Sequence, residues 1–335
     1  MEFFSGLDVH KESVQACVRD SKGDIVTERR FTTTPAGMKA LLSTVRGSRC
    51  VMESSTACFP VYDFLQENGI QVRVAHPKRT KAICSAKIST DKVDARTLAQ
   101  LERVNLIPEA YVPSKEVRQQ QDVVRHHMQL VQQRTRLMNQ TKAFLLRNGY
   151  KVSYNPLTGK ASRLFELMDI PESVKLKMGH ARQQYVLLCK ELKEVDGRIE
   201  GIAKQNKYAV LLQSIPGVGW FSALLIALQV DNIERFPDAE HLVSYAGLCP
   251  GIKQSADHIR MKGIGNDSCK LLRWVLIQDA WQVTKRCAHF RKVYRKLCRR
   301  KSKQKAIVGV AKRLLTVMYF MLRDQTFYNP VKEGC

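Results

Sequence analysis

The sequence lacks the features of several protein classes. Its 10 cysteines stand singly, and no Cys-x-x-Cys pair occurs, so zinc fingers are not expected and the scattered thiols fit a reducing cytoplasm. The longest apolar helix pattern, 221–230, is too short to span a bilayer. The N-terminus has no basic segment followed by an apolar stretch. We therefore expect a soluble cytoplasmic protein with no membrane partner.

Negative charge is scarce as well. The chain has 31 Asp and Glu against 55 Lys and Arg, which gives a formal net charge of +24 and a pI near 9.8. An excess of this size is unusual for a metabolic enzyme and typical of a protein that binds a polyanion. Nucleic acid is therefore the expected partner.

Four of the few acids stand where a metal site would need them. Asp91 and Asp94 lie three positions apart at the start of a predicted helix and so share one face, while Asp8 and Glu53 each lie in an apolar strand pattern. A carboxylate on a buried strand needs a partner, and Mg²⁺ prefers carboxylate oxygens. The four acids thus predict a magnesium site. The alternative is that they are a helix cap, a solvated side chain and two strand ends.

The first 112 residues read as a mixed α/β domain. Strand patterns at 3–9, 13–19 and 24–31 predict an antiparallel meander, after which helices and strands alternate. This order is that of an RNase H-like fold, a mixed sheet with helices on both faces. In that topology the first and fourth strands are neighbours, so Asp8 and Glu53 are expected to reach the same ion as the helical pair.

Residues 113–206 are predicted to form a helical coiled-coil region. Gly and Pro are absent from 115–148, where apolar residues recur every seven positions, and a stricter heptad pattern runs from Tyr185 to Ile202. The Gly- and Pro-containing stretch 149–180 would separate the two helices. They could fold back on each other, or join the subunits of a homo-oligomer, a dimer or a tetramer.

Residues 207–330 are predicted to form an all-α domain. The segment from Ser214 to Gly219 lies between two helical patterns, as in a helix-hairpin-helix element, and its glycines Gly217 and Gly219 would let backbone N–H groups approach a phosphate. A Pro-Gly turn between two core helices is the simpler alternative. A polar loop is expected over 251–265.

A strongly basic segment follows. From Lys285 to Arg313 there are thirteen Lys or Arg residues and no acid, with apolar residues at helical spacing. Unopposed charges in this number repel one another unless a polyanion binds, so a basic helix pair on the phosphate backbone is favoured over a merely solvated face. The predicted nucleic-acid contacts are Lys285, Arg286, Arg291, Lys292, Arg295, Lys296, Arg299, Arg300, Lys301, Lys303 and Lys305.

Several motifs together resemble one family, the IS-one-ten insertion-sequence transposases and the Piv-type DNA invertases. The N-terminal motifs are Gly6-Leu7-Asp8-Val9-His10-Lys11, Met52-Glu53-Ser54 and Thr90-Asp91-Lys92-Val93-Asp94-Ala95. The C-terminal motifs are Ile215-Pro216-Gly217-Val218-Gly219, Tyr245-Ala246-Gly247-Leu248-Cys249-Pro250, Gln254-Ser255-Ala256 and Leu271-Leu272-Arg273. Their joint order covers nearly the whole chain.

The resemblance implies a RuvC-like catalytic domain, a coiled-coil linker and a helical transposase domain in a prokaryotic, nucleoid-associated protein. It implies that Ser255 is the nucleophile that attacks a DNA phosphodiester, as in serine recombinases, and that Asp8, Glu53, Asp91 and Asp94 hold Mg²⁺. It further implies a structured noncoding guide RNA that pairs with donor and target DNA.

Departures from the family pattern leave alternatives open. Ala256 stands where relatives often have Gly, and Asn266 and Ser268 stand where Lys and Gly are more usual. Ser255 is therefore favoured as the nucleophile over Ser268 or Tyr245. Two other hypotheses remain: a junction-resolving nuclease that uses metal and water alone, and a non-catalytic DNA- or RNA-binding protein with structural acids.

Overall fold

The structure is a computed structural model that describes residues 2–84, 90–159, 161, 170–255, 258–264 and 268–330, with the backbone alone for 250–264. The chain divides into two compact units, Met1–Lys115 and Glu116–Cys335. None of the described helices is both long enough and apolar enough to cross a membrane.

The first unit contains a five-stranded mixed sheet of order β3-β2-β1-β4-β5. Its strands are β1 Phe3–Val9, β2 Ser13–Arg19, β3 Ile25–Thr32, β4 Ser48–Glu53 and β5 Val72–Ala75. The first three form the predicted antiparallel meander, and β4 and β5 add to β1 in parallel. The sheet topology is consistent with the predicted RNase H-like domain.

Helices cover both faces of this sheet, as expected. The helices are α1 Pro35–Val45, α2 Cys58–Glu67, α3 Pro77–Ile83 and α4 Asp91–Arg103. Leu7 and Met52 share one core cluster with α1 and α2, whereas Val51 shares another with Leu98 of α4. Because side chains alternate along a strand, Gly6, Asp8 and Glu53 have the strand parity of the face that α4 covers.

The second unit begins with two long helices, α5 Lys115–Arg147 and α6 Glu172–Gln205. Both were predicted, but α6 begins inside the stretch expected to be the break between them. At one end of the pair, Leu145 packs in a cluster with Val174 and Met178. Near the other end, His127 Nε2 lies 3.0 Å from Asp196 Oδ1. The helices therefore fold back on each other within the chain, and a coiled coil between copies stays a prediction.

The remaining elements pack around one large core. They are α7 Lys207–Gln213, α8 Trp220–Val230, the 3₁₀ helix Ile233–Arg235, α9 Ala239–Tyr245, β6 Pro250–Ser255, β7 His258–Ile264, α10 Lys270–Arg286, α11 Ala288–Cys298 and α12 Lys303–Arg323. Val124 of α5 and Ile199 of α6 belong to the same core. The predicted division into separate domains at residues 113–206 and 207–330 stays a prediction.

The predictions of an all-α domain over 207–330 and of a polar loop over 251–265 are both wrong. The backbone there forms an antiparallel hairpin of β6 and β7. The high polarity of the segment suggested a loop, yet Ile259 and Met261 alternate with basic residues in the period of a strand.

Candidate metal centre and nucleic-acid surface

Strand pairing brings Asp8 and Glu53 to one edge of the sheet. Leu7 pairs with Met52 across the parallel strands β1 and β4, so the next residues, Asp8 and Glu53, stand level at the carboxyl ends of both strands. They have the same parity, and α4 packs on that face. The pairing of β1 with β4 thus brings Asp8 and Glu53 together although they are 45 residues apart in the sequence.

A glycine lets α4 approach this edge. A Cβ built on Gly6 would lie 2.1 Å from the carbonyl oxygen of Ala95 and 2.4 Å from the amide nitrogen of Ala99, distances that no side chain tolerates. The helix begins at Asp91 because Thr90 caps it, accepting a hydrogen bond from the Val93 N–H. The first turn of α4, with Asp91 and Asp94, is thereby placed beside Asp8.

His10 joins two of the carboxylates. Its Nε2 lies 3.0 Å from Asp8 Oδ2 and 3.3 Å from Asp91 Oδ1. One ligand atom from each of these three residues lies within 4.8 Å of the others, a spacing that a single metal ion could bridge. Arg30 on β3 adds a more distant charge, with its Nη2 3.9 Å from Asp91 Oδ2.

The pKa values show the mutual repulsion of the acids. Burial raises the pKa of Asp8, His10 opposes this, and the negative charges of Asp91 and Asp94 add to the rise. Burial also raises the pKa of Glu53; Lys81 opposes it, while Asp8 and Asp94 raise it further. Asp8 is therefore repelled by Asp91 and Asp94, and Glu53 by Asp8 and Asp94, and a divalent cation would relieve this repulsion.

The pKa of His10 moves in the opposite sense to what burial alone would give. Burial would lower it, but the carboxylates of Asp8 and Asp91 outweigh that effect and raise the pKa above its usual value. The imidazolium therefore supplies positive charge between two carboxylates. The carboxylate oxygens of Asp8 and Asp91 fit a hard divalent ion such as Mg²⁺ or Mn²⁺, and His10 could add its nitrogen only after losing its proton.

The candidate nucleophiles have different surroundings. Ser255 is the last residue of β6 and pairs with His258, while its side chain, like Ala256 and Asn266, lies outside the described residues. Ser268 Oγ accepts a hydrogen bond from Arg273 Nη1 at 3.2 Å. The Tyr245 ring lies under the Arg235 guanidinium, 4.9 Å away, and burial raises its pKa. Ser268 and Tyr245 thus make contacts within the protein that explain their presence without a role as nucleophile.

The two glycines of the predicted phosphate-binding turn differ. Gly217 has φ +112°, and a Cβ there would lie 3.0 Å from the backbone of Gln282 and Val283 in α10. Its close packing on α10 explains this glycine without a ligand. Gly219 is exposed and caps α8, with no atom near its Cβ position. Phosphate binding by either glycine stays a prediction.

The basic segment forms the end of α10, the whole of α11 and the start of α12. All eleven predicted contact residues, from Lys285 to Lys305, are exposed. Within the described parts of the chain, no carboxylate lies within ion-pairing distance of any of them. On α11 the apolar side, including Phe290, faces the core and the cations face solvent. This is the basic helix pair that the sequence predicted.

Comparison with known proteins gives the family. A family model for transposases with the DEDD motif, of the IS110 type, matches residues 5–148. A second, described as the transposase IS116/IS110/IS902 family, matches residues 209–295. The chain belongs to the IS110 family of transposases. The IS110 match contains all four acids, and the second contains Gly217, Gly219 and Ser255.

Individual relatives agree with this assignment. The chain is similar to the transposase for insertion sequence element IS1111A of Coxiella burnetii, 25% identical over 97% of this chain and 90% of the relative. The transposase for element IS1328 of Yersinia enterocolitica is 22% identical over 82% of both chains. The pilin gene-inverting protein of Moraxella bovis is 33% identical over 36% of this chain and 38% of its own length. As a member of this family the chain is a DNA transposase or recombinase enzyme.

Sequence reasoning missed His10 in this IS110 transposase. The residue stands two positions after Asp8, within the quoted Gly6–Lys11 motif, and that spacing places side chains on one side of an extended chain. It was a detectable signal. Lys81 of α3, whose charge lowers the pKa of Glu53, had no such signal because it lies 28 residues further along the chain.

Proposed function

We propose that this transposase cuts and rejoins DNA through a covalent phosphoserine. The Ser255 hydroxyl attacks a DNA phosphorus, a serine–phosphate ester forms, and the bond to the departing strand oxygen breaks. The serine proton is lost to a base and the departing oxygen gains one. A strand hydroxyl then loses its proton and attacks the same phosphorus, the serine–phosphate bond breaks, and the serine oxygen regains a proton. The strands are rejoined without ATP because the ester conserves the bond energy.

The convergence of the four acids carries this proposal. Asp8, Glu53, Asp91 and Asp94 would hold Mg²⁺, which stabilises negative charge on phosphate oxygens when it is bound. His10 links Asp8 to Asp91 and would keep their oxygens in place. Arg30 and Lys81 moderate the negative charge from two other elements.

Two partner assignments belong to the same proposal. The exposed cations on α10, α11 and α12 would grip double-stranded donor and target DNA, and a structured noncoding RNA would supply the sequence specificity by base pairing. A homo-oligomer is supported by exposed apolar side chains on α6, where Leu176, Val186 and Leu187 are each more than half exposed. The protein would act at the prokaryotic nucleoid.

Covalent trapping tests the reaction. Denaturing gels should show protein joined to labelled DNA in the wild type and none in Ser255→Ala, whereas the matched Ser268→Ala should still trap. Cutting by Ser255→Ala without trapping would instead identify a metal-dependent nuclease. If Asp91→Ala and Asp94→Ala alter only stability and leave cutting intact, the acids are structural and the proposal fails.

The RNA partner needs a separate test. RNA that copurifies with the protein should be a single structured species, and its removal should abolish site choice. Copurification of heterogeneous cellular RNA alone would refute the guide.

A further inference from the structure

The outer face of α10 has an unusual composition. Two of the three tryptophans of the chain lie on it and are exposed, Trp274 by 42% and Trp281 by 36%. Exposed tryptophans cost hydrophobic free energy, so two on one short helix need a physical reason.

The exposed residues form one stripe along the helix axis. Its members are Lys270, Trp274, Gln278, Trp281 and Lys285, all exposed. At about 100° per residue, these five positions fall within an arc of about 80°. The two indole rings are separated by seven residues, or about 10 Å along the axis, close to three nucleotide steps at about 3.4 Å.

The stripe is positively charged. The only acid between Lys270 and Arg286 is Asp279, which is 3% exposed on the opposite, core-facing side. At its C-terminal end the stripe meets the basic helix α11, since the rings of Trp281 and Tyr294 lie 5.9 Å apart in an edge-to-face pair. Tyr294 fixes one side of Trp281, and the basic residues Arg295 and Lys296 follow it on α11.

We propose that this face of α10, here called the tryptophan stripe, is a stacking platform for unpaired bases of a single-stranded nucleic acid. Aromatic rings about three nucleotide steps apart, with cations at both ends, provide the two elements of such sites, base stacking and attraction of the phosphate backbone. The inference rests on the proposed nucleic-acid function, which assigns phosphate contacts but no contact to bases.

A protein partner is the weaker candidate for the same face. The core of a protein–protein interface is depleted in charged residues, lysine among them, whereas the stripe sets its two tryptophans between lysine and glutamine. Duplex nucleic acid does not fit the rings either, because its bases are already stacked on one another. Unpaired nucleotides are the ligand that uses both the rings and the charges.

Binding to matched strands tests the platform. The probes are a short labelled single-stranded DNA, an RNA of the same sequence, and an abasic strand with the same number of phosphates. In the full-length protein, Trp274→Ala or Trp281→Ala should weaken binding of the base-bearing strands about tenfold or more and leave the abasic strand unchanged. Lys285→Gln should weaken all three probes alike. The control Trp220→Phe, outside the stripe, should change none.

Several results would overturn the proposal. Unchanged affinity for the base-bearing strands, or an equal loss for the abasic strand, would show that the rings do not stack on bases. A change in oligomer mass by sedimentation, with unchanged strand affinity, would assign the stripe to a protein contact. Trp281→Leu keeps apolar bulk and guards against misfolding; it should lose base-dependent affinity as Trp281→Ala does. Duplex DNA binding by the tryptophan variants reports separately on the proposed function and should be unaffected.

Discussion

A buried carboxyl group makes the stability of the second unit, Glu116–Cys335, depend on pH. Asp279 of α10 is 3% exposed, and among the described residues its Oδ2 has no hydrogen-bond partner. The side chain does form a hydrogen bond with Ser222 of α8. Burial raises its pKa to about 7. The side chain is therefore protonated in the folded protein at mildly acidic pH and ionised in the unfolded chain.

The sign follows from the raised pKa. Below pH 3.8, the pKa of the group in the unfolded chain, Asp279 is protonated in both states and does not lower the free energy of unfolding. As the pH rises from 3.8 toward about 7, the unfolded chain loses this proton first, so the free energy of unfolding falls. At about 1.4 kcal/mol for each unit of pKa difference, the total loss is about 4 kcal/mol, of which about 2 kcal/mol falls between pH 5 and 7. Above pH 7 the loss levels off.

The substitution Asp279→Asn removes this dependence while keeping the shape of the protonated side chain. Urea unfolding of the full chain, followed by helix circular dichroism at pH 5, 6, 7 and 8, should show wild type losing about 2 kcal/mol relative to the variant between pH 5 and 7. Asp122→Asn, which removes an exposed carboxylate on α5, is the control and should show no comparable trend. A constant difference between wild type and Asp279→Asn across this range would refute the reasoning.

Three further predictions concern the metal centre and the basic surface. Gly6→Ala should push α4 off the sheet because the new Cβ would meet the Ala95 carbonyl, which should lower the free energy of unfolding by about 1 to 3 kcal/mol or more and abolish metal-dependent cutting. The control Gly197→Ala, which has open space at its Cβ, should leave stability unchanged or raise it. A stable and active Gly6→Ala variant would contradict the packing of α4 on Gly6. His10→Ala should weaken Mn²⁺ or Mg²⁺ binding about 10- to 100-fold in calorimetry, whereas His126→Ala, which changes an exposed histidine of α5, should not. Equal metal affinities for the wild type and His10→Ala would show that His10 has no role in metal binding. Neutralising three exposed cations of α11 and its C-cap, Lys292, Lys296 and Arg299, should lower the salt slope of log K for DNA by about 2 to 3. An unaltered slope would place the binding surface elsewhere.

Local patterns predicted much of this fold. The strands Phe3–Val9 and Ser13–Arg19 have the predicted bounds, and helix α4 begins within the stretch predicted to start a helix, because alternation, turn residues and caps act within a few positions of each other. The hairpin at Pro250–Ile264 was mistaken for a loop because its polar composition masked a two-residue period. The heptad patterns located both long helices, but they could not specify which parts of the protein those helices pack against.

By itself, the sequence determined the mixed sheet, the two long helices, the cationic character and the family, since each depends on spacing or composition along the chain. Tertiary structure alone decided that Asp8 stands level with Glu53, that His10 bridges to Asp91, and that Asp279 is enclosed while two tryptophans of the same helix face solvent. The reason is physical: these outcomes depend on which faces meet across long separations, and the free energy that selects them comes from packing, which no local period records.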